Sequence, residues 1–301
     1  MKAGFCLFLS GFIFLLATAQ QDPQFSMYFS NGFAQNPSYA GSKSHVTSAM
    51  FYRKQWYAFD GAPETASLFV HGPSRNQRHG FGFLLLYDKA GAWRNSKVTL
   101  AYSIHFPMGK NSDLAFGLSG GINQLSVDIA GLQTGNPNDP VVSSGMGNRM
   151  APRLAAGLHF RTGTFQLGIS AGDPLSFQGS TPGGYQFVPH FTGTTGISIP
   201  FSDAVDIEAS VIVQTAIQSP ATMDTNFGFL YKKKFKFGAG YRISGSFIFF
   251  TQFQLNRQLL FGYSYDFPVH GYRQPFSNTH ELMLTYDFRF IRHGVDSMRY
   301  F

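Results

Sequence analysis

From Lys234 to Phe290 the chain alternates so regularly that few architectures can accommodate it. Phe235, Phe237, Ala239, Tyr241 and Ile243 share one parity; Lys236, Gly238, Gly240, Arg242 and Ser244 share the other. A period of two places the sets on opposite faces of a β-strand. The same pattern returns in Phe247–Leu255, in Leu259–Phe267 and, most cleanly, in Leu282, Leu284, Tyr286, Phe288 and Phe290. Each segment has about the 9–11 residues that a tilted strand needs to cross a bilayer. Apart from Pro268 to Asn278, the connections between these segments are only a few residues long.

Alternation alone fits a soluble sandwich as well as a membrane barrel. Three features favour the membrane. The apolar face is aromatic near strand ends, as an interfacial girdle requires. The opposite face carries Gly, Ser and charges, which suits a wet or polar-packed lumen. The terminal strand reads Tyr286-x-Phe288-x-Phe290, an aromatic ending typical of bacterial outer-membrane barrels. Composition agrees: only 13% of residues are charged while 17% are aromatic, and mean hydropathy is −0.08. That value is too low for a helical membrane protein and is expected when lipid-facing and lumen-facing residues alternate.

The first residues have the form of an export signal. Lys2 precedes an apolar run from Phe5 to Leu16, and Ala17-Thr18-Ala19 then supplies an A-x-A site. Cleavage is expected after Ala19. Cys6 is the only cysteine and lies inside the apolar run, so no disulfide or thiol chemistry is expected after cleavage. After Ala19 the sequence has no run of ~18 uninterrupted apolar residues. An exported membrane protein without such helices must close its strands into a barrel, because backbone groups in lipid need partners. The formal charge of +7 is scattered over turns, at Arg75, Arg78, Lys232, Lys233 and Lys234, rather than gathered into the patch a nucleic acid would need.

These readings divide the chain into a signal peptide (1–19), an N-terminal periplasmic or plug segment (20–43), a transmembrane β-barrel (44–290) and a C-terminal tail (291–301). The fold class is all-β: a single closed antiparallel transmembrane barrel of about fourteen strands. Its least certain strand is 112–130, which can be split at Asn123-Gln124. If both barrel termini are periplasmic, odd-numbered connections face outward. The three longest, 131–150, 173–186 and 268–277, are all odd-numbered, and most even ones are short turns. Long outer loops over short periplasmic turns are the expected asymmetry.

The inward parity carries Lys97, His105, Asp206, Glu208, Asp224, Lys236, Arg242, Asp266, Asp287 and Arg289. Both signs occur, so pairing across the lumen that holds the barrel rigid is expected ahead of an ion-selective pore. Catalytic signals are weak. Gly168-Ile169-Ser170-Ala171-Gly172 has the G-x-S-x-G shape but lacks the helix that a nucleophile elbow needs. The nine histidines contain no H-x-x-x-H pair. Asn136-Pro137-Asn138-Asp139 is explained by loop chemistry more simply than by Ca²⁺. No enzyme activity and no cofactor are expected. Trp56, Phe59, Asp60 and Gly61, at the first outer hairpin, fit either a turn with a belt aromatic or a partner-docking patch.

Several longer motifs then carry a resemblance. Gln21-Asp22-Pro23-Gln24-Phe25-Ser26 with Asn36-Pro37-Ser38-Tyr39-Ala40-Gly41, and Arg53-Lys54-Gln55-Trp56 with Phe59-Asp60-Gly61-Ala62-Pro63, resemble the PorP/SprF family. So do Tyr87-Asp88-Lys89-Ala90-Gly91, Phe116 to Gly121, Asn226 to Gly240, Gly262 to Phe267 and His280 to Phe288. The likeness runs in order through nearly the whole chain after Ala19. It implies an outer-membrane barrel of the type IX secretion system, whose cargo carries a C-terminal signal domain and in some cases includes gliding adhesins. It implies no catalytic residue. The expected partners are type IX secretion subunits, such cargo and outer-membrane lipid, with no nucleic acid. A diffusion porin or small-molecule transporter stands as the rival, and a soluble β-sandwich adhesin as a weaker third reading.

Overall fold

The computed structural model describes residues 23–30, 32–109, 111–128, 148–173, 188–217, 219–269 and 278–288. Residues 1–19, where a leader is expected, the Asn136–Asp139 motif, Arg289 and residues 291–301 lie outside them, as do most residues of the three longest loops.

Fourteen antiparallel strands close on themselves. They are β1 (Val46–Lys54), β2 (Glu64–Pro73), β3 (His79–Ala90), β4 (Trp93–Pro107) and β5 (Ser112–Val127). Then follow β6 (Arg149–Thr162), β7 (Phe165–Gly172), β8 (His190–Pro200), β9 (Val205–Ala216) and β10 (Thr222–Tyr231). The last four are β11 (Phe235–Arg242), β12 (Ser246–Gln254), β13 (Leu259–Pro268) and β14 (Thr279–Phe288). Every strand pairs with its sequence neighbours, and β1 pairs with β14 from Val46↔Phe288 to Lys54↔His280, which leaves no free edge. β5 runs unbroken through Asn123-Gln124, so the possible split there does not occur.

One face of this sheet is apolar and uncovered. Met50, Phe81, Leu100, Leu118, Ile169, Phe249 and Leu284 project outward with 40–65% of their surface exposed. Such a surface is stable only against lipid. The even-numbered connections are tight. The three-residue β10–β11 turn holds Lys232 and Lys233 at φ 47° and 55°, the left-handed geometry that tight hairpin turns use. Long connections fall at the opposite end, after β1, β5, β7 and β13.

The inner face is filled by the chain's own N-terminal segment. It enters at the long-loop end, where the Gln24 amide donates to Thr222 Oγ1 (3.0 Å) at the start of β10. It descends through short helical turns at Tyr28–Ser30, Gly32–Gln35 and Pro37–Tyr39, then leaves at the short-turn end beside Asp287 to begin β1. Asn36 organises the last turn, its side chain accepting from Ser38 N (3.0 Å) while Pro37 presets φ at the first helical position. Phe25, Met27, Phe33, Tyr39 and Ala40 are buried against Phe51, Phe69, Leu84, Leu86, Ile248, Phe250 and Met283 of the wall. Missing side chains on the wall make room. A Cβ at Gly82 would lie 2.3 Å from the Phe33 ring, and one at Gly117 would lie 2.2 Å from Ser38 N.

Candidate functional site: the lumen segment and its latch

Close to the long-loop end, five charged side chains from five strands converge on Ser26. Arg53 on β1 lies directly opposite Glu281 on β14, because barrel closure brings the first and last strands together. Arg53 contacts Glu281 at 3.1 Å and Asp266 on β13 at 2.7 Å. Arg242 on β11 contacts the same Asp266 at 2.9 Å and Asp224 on β10 at 2.7 Å. All five are at least 94% buried.

Ser26 completes this cluster with every polar atom it has. Its amide donates to Glu281 Oε2 at 2.8 Å, and the next amide, Met27 N, donates to Glu281 Oε1 at 2.9 Å. Its hydroxyl lies 2.7 Å from both Asp266 oxygens and accepts from Arg53 at 2.7 Å. Its carbonyl accepts from the Asn226 amide at 3.2 Å. The wall supplies two guanidinium groups and three carboxylates, so one carboxylate exceeds the cations. The two backbone amides of the lumen segment meet that excess. An anionic acceptor buried without donors costs several kcal/mol. Wall and segment are therefore electrostatically complete only together.

Further contacts extend the seating along the lumen. Tyr28 donates to the Asp224 carbonyl (3.2 Å) and accepts from Ser210 Oγ (3.2 Å). The Gln252 amide donates to Ser30 Oγ (2.7 Å), and the Asn36 amide donates to the carbonyls of Leu158 (2.9 Å) and Ile169 (3.2 Å). Ser103 and His105 both bond the Ala40 carbonyl, at 2.6 and 2.8 Å, and His105 also meets Asp113 at 2.9 Å. Ser170 of the G-x-S-x-G stretch donates to Gln35 O at 2.7 Å within β7, which gives it a seating role. A cleft lined by Phe25, Phe33, Leu84, Lys97 and Arg153 remains beside the segment near the long-loop mouth.

The expected pairing across the lumen takes a different form. The inward charges divide into local groups on strands that are adjacent or one strand apart: Arg242 with Asp224 and Asp266, and Lys236 with Glu208 (2.5 Å), while Asp206 pairs with Lys233 of the β10–β11 turn. Asp287 meets Lys43 (3.6 Å) and His45 (3.1 Å), where the lumen segment joins β1. Lys97 faces the cleft. A fourteen-strand lumen is too wide for two side chains to meet across it, and the N-terminal segment spans it instead. Arg53, Glu281 and Ser26 are the members that reading by parity missed. Arg53 and Glu281 do share the inward parity of their strands, and assuming closure would have set them opposite each other.

The first outer hairpin is separate from this cluster. Trp56 (φ 47°) and Gly61 (φ 75°) shape the turn, and Phe59 N bonds Trp56 O at 2.8 Å. Trp56, Tyr57 and Phe59 are 37%, 63% and 42% exposed, and Asp60 and Gly61 are exposed beside them, on the long-loop rim.

The family described as Type IX secretion system membrane protein PorP/SprF matches residues 17–286. No curated protein matches the chain. Among solved structures, the CymD monoaromatic hydrocarbon channel is similar with a TM-score of 0.54 and 11% identity, over 86% of this chain and 93% of that one. The Ralstonia pickettii toluene transporter TbuX gives 0.50 and 9%, again over 86% and 93%. At these identities the likeness is one of fold: an outer-membrane barrel. The chain belongs to the PorP/SprF family of type IX secretion system membrane proteins, and its place is the bacterial outer membrane.

Proposed function

We propose that this barrel is a non-enzymatic and non-conducting platform that docks or anchors secreted cargo, and other secretion subunits, at the outer membrane. The observation that carries this reading is the occupied lumen. Residues 23–30 and 32–42 lie along it from end to end, and the amides of Ser26 and Met27 donate to the surplus carboxylate of the wall. A diffusion porin keeps a water-filled path, whereas this interior is packed with aromatic and aliphatic side chains. Contacts with partners then fall to the rims. The long-loop rim offers the exposed aromatics of the Trp56–Pro63 hairpin, and aromatic clusters with a polar border suit protein contacts. Segments 131–150 and 173–186 are the other contact surfaces proposed. C-terminal signal domains of exported proteins, including gliding adhesins, are the cargo proposed. Residues 1–19 are proposed to act as the export leader.

The test is affinity purification of a tagged chain in mild detergent, followed by mass spectrometry. Recovery of C-terminal-signal cargo or other type IX components is expected. A partner-free barrel that passes small solutes in liposome-swelling assays would replace this reading with the porin.

A further inference from the structure

We infer that the short-turn rim is a binding surface for the phosphate headgroups of anionic phospholipids in the adjoining leaflet. Six exposed cations stand on the even-numbered turns: Arg75 and Arg78 between β2 and β3, Lys232, Lys233 and Lys234 between β10 and β11, and Arg257 between β12 and β13. Among the described residues of these turns, Asp203 is the one exposed acid. At the opposite rim, the described residues of the connections include no lysine or arginine. Among the described connections, the cations therefore gather at the short-turn end.

Two observations select lipid as the occupant. First, the cations border the apolar belt directly. Lys232 Nζ lies 5.2 Å from the centre of the Tyr231 ring, Lys234 precedes Phe235, and Arg257 follows Leu255 by two residues. Tyr231, Phe235 and Leu255 are 44%, 38% and 53% exposed on the membrane face. Aromatic side chains mark the headgroup level of a bilayer, so the neighbouring cations sit at phosphate depth. The left-handed backbone at Lys232 and Lys233 keeps the hairpin tight and holds these side chains at that boundary. Second, the cations are spread over three separate turns, along the arc that runs from β10 through β14 and β1 to β3, with the β2–β3 and β10–β11 turns nearly opposite each other in the closed strand order. A single acidic protein would meet one turn or two, whereas a lipid annulus meets all three. A lysine or arginine near an anionic surface gains about 1 kcal/mol, which is about fivefold in association.

The chain supplies its own internal control. Its two tryptophans, Trp56 and Trp93, both lie at the long-loop end. Tyr231→Trp adds a reporter at the short-turn end. In proteoliposomes with equal mole fractions of brominated phosphatidylglycerol or brominated phosphatidylcholine, the added fluorescence should show about fivefold stronger association with phosphatidylglycerol. Trp56 and Trp93 should quench equally with the two lipids. The preference should fall with salt, because rim charges are screened. It should also disappear in Arg75→Gln/Arg78→Gln/Lys232→Asn/Lys234→Gln/Arg257→Gln, where Asn at 232 tolerates the left-handed backbone. If that variant does not fold, the salt titration in the Tyr231→Trp protein decides alone. Equal quenching by both lipids at position 231, or a preference that survives high salt, would overturn the inference.

Discussion

Glu281→Ala should unseat the lumen segment while leaving the barrel closed. The carboxylate accepts from Ser26 N at 2.8 Å, Met27 N at 2.9 Å and Arg53 at 3.1 Å. Hydrogen bonds to a charged group contribute about 1.5–3 kcal/mol each. The two amide bonds therefore give roughly 3–6 kcal/mol as an upper range. Neighbouring terms do not add, and water enters the vacated site, so about 3 kcal/mol is a reasonable loss of seating. At 1.4 kcal/mol per decade this raises the unseated population roughly 100-fold. Ser38→Cys provides the readout, since Ser38 lies in the segment's last helical turn and is fully buried. Its labelling by a charged thiol reagent should follow the unseated fraction, as exchange does for local opening. Labelling should be about 100-fold faster in the Glu281→Ala background. Asp206→Asn is the control, because Asp206 is an inward acid that pairs with Lys233 on a neighbouring turn. Equal labelling rates in the Ser38→Cys protein with and without Glu281→Ala would refute the latch. Equal acceleration by Asp206→Asn would show that barrel stability, and not the contact with Ser26, controls access.

Other expectations follow from the same contacts. Arg242→Ala leaves Asp224 without its guanidinium partner and Asp266 with Arg53 alone, a loss of about 3–5 kcal/mol that should lower the heat-modification midpoint by on the order of 10 °C. An unchanged midpoint would remove the structural role of this cluster. Gly82→Leu drives a side chain into the Phe33 ring and should speed Ser38→Cys labelling, whereas Gly193→Ala, which meets nothing within 4 Å, should not. Trp56→Ala/Phe59→Ala should reduce recovery of secretion partners about 10-fold, with stability unchanged within about 0.5 kcal/mol. Undiminished recovery would move the proposed contact surface off this hairpin.

Much of the barrel can be read from the sequence because its cause is local. Lipid outside and polar groups inside impose a parity that each strand reports by itself, and tight turns punctuate it. A count of about fourteen strands follows from that parity and from connection lengths, whereas parity leaves a split at Asn123-Gln124 open and the pairing of β5 with β4 and β6 closes it. The seat of the lumen segment is hidden for the opposite reason. On β12, Phe247, Ile248, Phe249 and Phe250 form an unbroken apolar run, and two of them turn inward. Ile248 and Phe250 are apolar because they meet the N-terminal segment, with Phe29 and Phe250 4.8 Å apart between ring centres. No pattern within the strand signals that partner. The latch is non-local in the same way: Ser26 reaches Asp266 and Glu281 across separations of 240 and 255 residues. Parity places the inward charges, but their grouping depends on closure, which sets Arg53 against Glu281.

The occupied lumen is the centre of this account, and planar-bilayer recording of the unmodified barrel tests it most directly. Incorporated protein, verified as folded by heat-modifiable mobility, should show no steady conductance above the bare membrane. Glu281→Ala should add brief openings under the same conditions. A sustained ohmic step at each incorporation of the unmodified protein would contradict the account and make the barrel a pore.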